Sequence, residues 1–140
     1  MIRATLGIFA FALVGAVALA AQPTKSVWDG VYTEAQAKRG ETIYIEHCVR
    51  CHGPELTGAA DIASPLTGPT FNGNWNGVPL GQMLDRVRLT MPQDKPETLS
   101  RQQSADVLSY IFSYNKFPPG KTELPRTAEM LNLIQYKASK

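Results

Sequence analysis

Apolar side chains recur at the three- and four-residue spacing of an amphipathic helix in three separate segments of the chain. The pattern predicts helices over residues 34–48, 78–89 and 100–115, with a shorter helix near residues 128–135. Two of the starts also carry capping-box sequences, Thr33 with Gln36 and Ser100 with Gln103. The longest periodic segments of the chain are therefore helical.

Between these helices the periodicity is lost. Residues 53–77 contain five glycines and three prolines, and residues 90–99 form a second irregular stretch. No segment has the alternating pattern of a strand. A loop of 25 residues is long for a small domain unless a bound ligand organises it. The pattern thus predicts an all-α fold whose long loops surround a cofactor.

The chemistry is concentrated in the sequence Cys-Val-Arg-Cys-His at residues 48–52. A Cys-x-x-Cys-His motif is typical of covalent attachment of a c-type haem, because each thiol can add to one vinyl group. The imidazole of His52 then serves as the proximal iron ligand. The motif predicts one haem c, bound covalently through Cys48 and Cys51.

Other functions of a paired-cysteine motif fit this chain less well. A redox dithiol is expected within a βαβ pattern, which the sequence lacks. A structural zinc site needs about four ligands, and beyond the motif only His47 remains as a further histidine or cysteine. A structural disulfide between Cys48 and Cys51 is the third alternative.

The first 21 residues have the pattern of a secretory signal peptide. Arg3 gives a positive start, residues 6–20 are apolar, and Ala-Leu-Ala at residues 18–20 offers a cleavage site. We therefore expect export to the periplasm or an equivalent compartment. The alternative is an uncleaved membrane anchor, although the apolar run is short for a spanning helix.

Removal of residues 1–21 leaves residues 22–140, which is enough for one small domain with a C-terminal extension from about residue 118. The full chain has 14 basic and 12 acidic residues, and the basic residues are scattered along it. This balance gives no electrostatic basis for nucleic-acid binding. A membrane partner is expected only if the signal segment is not cleaved.

A second protein ligand on the iron would close the site for electron transfer, whereas an iron with one open position binds small molecules. The candidates are Met83, Met91, Met130 and His47. His47 lies on the same segment as His52, and Met130 lies in the C-terminal tail. Met83 falls on the apolar face of a predicted helix, where methionine usually fills the core.

Met91 differs from the other candidates because it follows a helix and precedes Pro92. A proline favours an extended main chain at the residue before it, which would present the side chain outward. Met91 lies 39 residues after His52, which leaves room for a loop and a helix to cross to the opposite side of the cofactor. The sequence therefore predicts Met91 as the second iron ligand.

These motifs resemble the class I monohaem cytochromes c over nearly all of residues 27–125. That family crosses an N-terminal and a C-terminal helix at a glycine and two aromatic residues, which match Gly40, Tyr44 and Tyr110 here. Residues 65–68 approximate its haem-wall sequence. The resemblance implies about four helices around the haem, with the carbonyl of Pro65 or its neighbour accepting a hydrogen bond from the His52 ring.

The loops also resemble cytochromes c that accompany pyrroloquinoline-quinone-dependent dehydrogenases. The matching segments are residues 48–53, 66–69, 74–75, 90–92, 99–100, 115–118 and 121–125. This resemblance implies a dehydrogenase as electron donor and a terminal oxidase or another cytochrome as acceptor. Trp75, Arg86 and Arg88 are candidates to pair with the haem propionates, because buried carboxylates need polar partners.

The resemblance therefore implies an exported electron carrier rather than an enzyme, either free or as a subunit of a dehydrogenase complex. The alternative is a haem enzyme or a gas sensor, in which the sixth position of the iron is open or its ligand is displaceable. The two classes differ at Met91.

Overall fold

The computed structural model describes residues 25–140, so the predicted signal segment lies outside the described part. Within that part a 3-10 turn at Val27–Asp29 precedes six α-helices. The helices are α1 (Glu34–His47), α2 (Val49–His52), α3 (Gly68–Trp75), α4 (Leu80–Thr90), α5 (Arg101–Tyr114) and α6 (Ala128–Leu131). Two-residue strands β1 (Lys25–Ser26) and β2 (Ile134–Gln135) pair in parallel.

The three long predicted helices are confirmed as α1, α4 and α5. At the start of α5 the Ser100 hydroxyl accepts a hydrogen bond from the Gln103 main chain (3.2 Å), and the Gln103 side chain accepts one from the Ser100 N–H (2.9 Å). At α1 only half of the predicted box forms, because Thr33 caps the Gln36 N–H but the Gln36 amide turns inward. It bonds the main chain of Leu124 instead.

The irregular stretch predicted at residues 53–77 is wrong at its end, where α3 forms. Pro69 stands in the first turn of this helix, where its missing N–H costs nothing. Phe71 is the only buried residue of α3, so the segment shows almost no apolar periodicity. The strands β1 and β2 also went unpredicted, because two residues are too few to alternate.

Helices α1 and α5 cross in direct main-chain contact at Gly40. A Cβ atom at Gly40 would overlap the carbonyl oxygen of Asp106 and come within 3.0 Å of the Tyr110 Cβ. Beside the crossing the rings of Tyr44 and Tyr110 pack with centroids 5.2 Å apart. The predicted pairing of Gly40, Tyr44 and Tyr110 is confirmed, and it explains why glycine is tolerated in the middle of a helix.

The C-terminal segment packs into the core of the domain. Leu124, Leu131 and Tyr136 are almost fully buried. The Tyr136 hydroxyl donates to the Asn72 side chain of α3 (2.6 Å), and α6 and β2 pack against α4. The C-terminal segment therefore supports α3 and α4. Across residues 25–140, no helix is both long and apolar enough to cross a membrane.

The α1–α5 crossing can be tested with two glycine substitutions. Gly40→Ala should lower the free energy of unfolding by about 1–3 kcal/mol, because the added methyl group forces the helices apart. Gly73→Ala in α3 is the matched control, since a Cβ there meets no atom within 4 Å. It should be neutral or stabilising by up to about 1 kcal/mol. Equal denaturant midpoints for the two variants would contradict the crossing.

Candidate cofactor site

A cavity of about 650 Å³ lies between the end of α1 and helices α2, α3, α4 and α5. This volume is within the range of small-molecule and cofactor sites. Apolar side chains from several elements form much of its wall, namely Leu66, Phe71, Trp75, Met83, Val87, Val107, Leu108 and Ile111. The residues that matter for its chemistry stand on two segments of the chain.

The first segment carries the cysteines. Cys48 ends α1, Cys51 lies in α2, and both line the cavity with unpaired thiols. Burial, together with the nearby Cys51, raises the pKa of the Cys48 thiol to about 11. Cys48 is therefore less acidic than an ordinary thiol, whereas a reactive redox cysteine has a lowered pKa. No cluster of three or more His, Cys, Asp or Glu side chains that could hold a metal occurs within residues 25–140.

His52 is held in a defined orientation on the same wall. Its Nδ1 lies 3.0 Å from the carbonyl oxygen of Ser64. Burial lowers the pKa of the imidazole, which favours the neutral ring with Nδ1–H as donor and Nε2 as a free electron pair. Such a hydrogen bond is the usual partner of a metal-binding histidine. The acceptor is the neighbour of Pro65, which is one of the two positions that the sequence predicted.

The second segment is the end of α4, where Met91 lines the cavity. Met91 has the extended main chain that Pro92 favours (φ −123°, ψ 148°), and its N–H donates to the Val87 carbonyl at 3.1 Å. Two other candidate ligands, Met83 and His47, also line the cavity. Met130 does not, because it lies on the surface of α6 with 57% of its area exposed.

The loop that holds Ser64 is itself fixed by Asn115, at the end of α5. The Asn115 amide donates to the Leu66 carbonyl (2.9 Å), and its oxygen accepts from the Thr67 hydroxyl (2.9 Å). Within the loop the Leu66 N–H donates to the Leu56 carbonyl (2.8 Å). No local signal in the sequence indicates these roles, because the two partners of each bond are far apart along the chain.

Of the candidate propionate partners, Trp75 and Arg86 line the cavity. Arg88 is not among the lining residues, and its Nε is buried without a hydrogen-bond partner in the described part of the chain. Residues 86 and 88 of a helix point in directions about 200° apart, so only one of them can face the cavity.

A haem c fits these residues. Two unpaired cysteines, an oriented histidine with one free nitrogen and a largely apolar cavity of suitable volume occur together. With α1 and α5 crossing beside this cavity, the fold and the site define a class I cytochrome c. The sequence comparison specifies the family: the one described as cytochrome c oxidase, cbb3-type, subunit III matches residues 35–111, more than half of the chain. The chain belongs to this family, and it is an electron-transfer haem protein.

No protein of established annotation matches the sequence significantly. Among solved structures, the fold is similar to a chain in the crystal structure of the sulfane dehydrogenase SoxCD from Paracoccus pantotrophus. The two share 19% sequence identity and superpose with a TM-score of 0.55, over 86% of this chain and 67% of the other. At this identity the likeness supports the fold.

Proposed function

We propose that this protein is an exported carrier of single electrons, with one haem c attached through Cys48 and Cys51 and the iron held between His52 and Met91. The observation that carries the proposal is the hydrogen bond from the His52 ring to the Ser64 carbonyl, with Met91 on the same cavity. When bound, the haem supplies an iron that cycles between the ferric and ferrous states.

The protein's own residues limit the structural rearrangement that accompanies this change of charge. Ser64 fixes the tautomer of His52 and keeps Nε2 free as a ligand. Asn115 in turn holds the loop that contains Ser64. With two protein ligands in place in both states, electron transfer needs little rearrangement, and a thioether ligand raises the reduction potential.

Met91 is a better ligand candidate than the other residues on the cavity. Met83 lies inside α4, is only 2% exposed and belongs to the packed core. His47 is the last residue of α1, and its ring lies beside Glu46 (3.7 Å) on the segment that already supplies His52. Met91 stands past the last turn of α4, where its side chain can move without disturbing the core. Trp75 and Arg86 are our candidates to bind the propionates.

Electrons would pass through the open side of the cavity during short-lived contacts with other redox proteins. Ile62 lines this cavity and is 66% exposed, which fits the small apolar docking surfaces of transient redox complexes. We propose a pyrroloquinoline-quinone-dependent dehydrogenase as donor, and a terminal oxidase or another cytochrome as acceptor. The loop resemblances support the donor, and the oxidase named in the family description supports the acceptor.

The export of this carrier can be tested by isolating the protein from its native host. The mature chain should come from the extracytoplasmic fraction and begin at Ala21 or Gln22, because residues 18–20 form the cleavage site. N-terminal sequencing measures this directly. A chain that keeps residues 1–20 in the membrane fraction would contradict it.

The proposed donor can be tested with purified proteins. A purified quinoprotein dehydrogenase should reduce the oxidised protein, and failure to do so would remove that donor.

The electron carrier differs from a haem enzyme or gas sensor in how the reduced protein treats carbon monoxide. Met91→Ala should allow rapid carbon monoxide binding and lower the reduction potential, since it removes the second ligand. Met83→Ala is the matched control, because it also removes a methionine from the cavity. It should cost about 2–5 kcal/mol of stability but leave binding slow.

Stopped-flow mixing with carbon monoxide and a redox titration measure both effects. Rapid binding by the unmodified protein would contradict the electron-carrier function. An opened iron in Met83→Ala but not in Met91→Ala would show that the wrong methionine had been assigned.

A further inference from the structure

The segment that follows Met91 is weakly held. Residues 93–98 are all exposed, and the chain returns to the core only at Leu99, which is 4% exposed. Two hydrogen bonds stay within the segment, from the Lys95 N–H to the Pro92 carbonyl (3.0 Å) and from the Thr98 hydroxyl to the Lys95 carbonyl (2.8 Å). These bonds shape the turn but do not attach it to the rest of the domain.

One side chain of this segment bonds to helix α2. The Asp94 carboxylate accepts a hydrogen bond from the Arg50 guanidinium at 2.6 Å. Within residues 25–140 it is the sole hydrogen bond that links residues 92–98 to another part of the chain. The segment that follows Met91 is thus connected through Asp94 to α2.

The position of Arg50 makes this contact more than a surface ion pair. Arg50 lies in α2 between Cys48 and Cys51, and both Arg50 and Asp94 line the cavity. Helix α2 packs on α1, whereas α4 packs on α5 and α6. The ion pair therefore joins two walls that are otherwise supported by different helices.

We propose that the Arg50–Asp94 pair is a tether that holds the segment after Met91 in place and thereby controls how often Met91 leaves the iron. Arg50 and Asp94 act through Met91 and are positioning residues. The inference rests on the proposed role of Met91 as a ligand. Because the two side chains are 74% and 50% exposed, the tether is weak and sensitive to salt, so it adjusts the opening without preventing it.

Imidazole binding to the oxidised, haem-loaded protein measures this opening, because imidazole can enter only after Met91 leaves. The binding rate should reach a plateau at high imidazole, and the plateau is the opening rate. Asp94→Asn should raise the plateau about two- to five-fold at low salt, which is the range expected for an exposed ion pair. Added salt should raise the plateau of the unmodified protein and leave that of the variant nearly unchanged.

Two further variants separate the tether from a general loss of stability. The double variant Arg50→Gln with Asp94→Asn should open no faster than Asp94→Asn alone, because the pair is already broken. Glu123→Gln removes another exposed ion pair, that between Arg39 and Glu123 (2.9 Å), away from the cavity. It should leave the plateau unchanged.

The possible failures of the tether and of the proposed function give different results. A plateau that is equal in the unmodified protein and in Asp94→Asn would overturn the tether while leaving Met91 as the ligand. A rate that rises in proportion to imidazole in both proteins, and that equals the rate of Met91→Ala, would show an open iron. That outcome would overturn the proposed function and the tether together.

Discussion

The contact between α1 and α5 at Gly40 is the constraint on which the cavity depends. Because no side chain separates the two helices, the carbonyl of Asp106 approaches the α1 main chain directly. Helix α1 ends at the first cysteine, and α5 supplies Val107, Leu108 and Ile111 to the cavity wall. The crossing therefore sets the distance between the attachment segment and the apolar wall, which a flexible contact could not do.

Hydrogen bonds from the loops then complete what the helices begin. The Ser64 carbonyl orients His52, and Asn115 holds the loop in which Ser64 lies. The other side of the cavity depends on the end of α4 and on the segment after Met91, which is mostly exposed. One wall is thus held by hydrogen bonds from other elements, whereas the segment after Met91 has, within residues 25–140, a single hydrogen bond to another part of the chain.

The sequence predicted the parts of the fold that depend on local pattern. The three long helices follow from apolar spacing and caps, and Gly40 indicated the crossing because a glycine there would otherwise only cost stability. The prediction from sequence failed for α3, where Phe71 is the only buried residue. It also failed for the Gln36 side chain, which turns inward to bond Leu124. Both depend on partners that are distant along the chain. The placement of Arg88 outside the cavity wall, in contrast, follows from helix geometry once Arg86 faces the cavity.

Met91 as an iron ligand is the central claim, and nuclear magnetic resonance of the reduced protein tests it most directly. The methionine methyl groups are labelled with carbon-13 so that their signals can be followed. The methyl signal of a methionine bound to the iron moves far upfield, because the porphyrin ring shields it. We predict one such signal, lost in Met91→Leu, which nearly preserves side-chain volume, and kept in Met83→Leu. No shifted methyl signal, or one that survives Met91→Leu, would contradict the account.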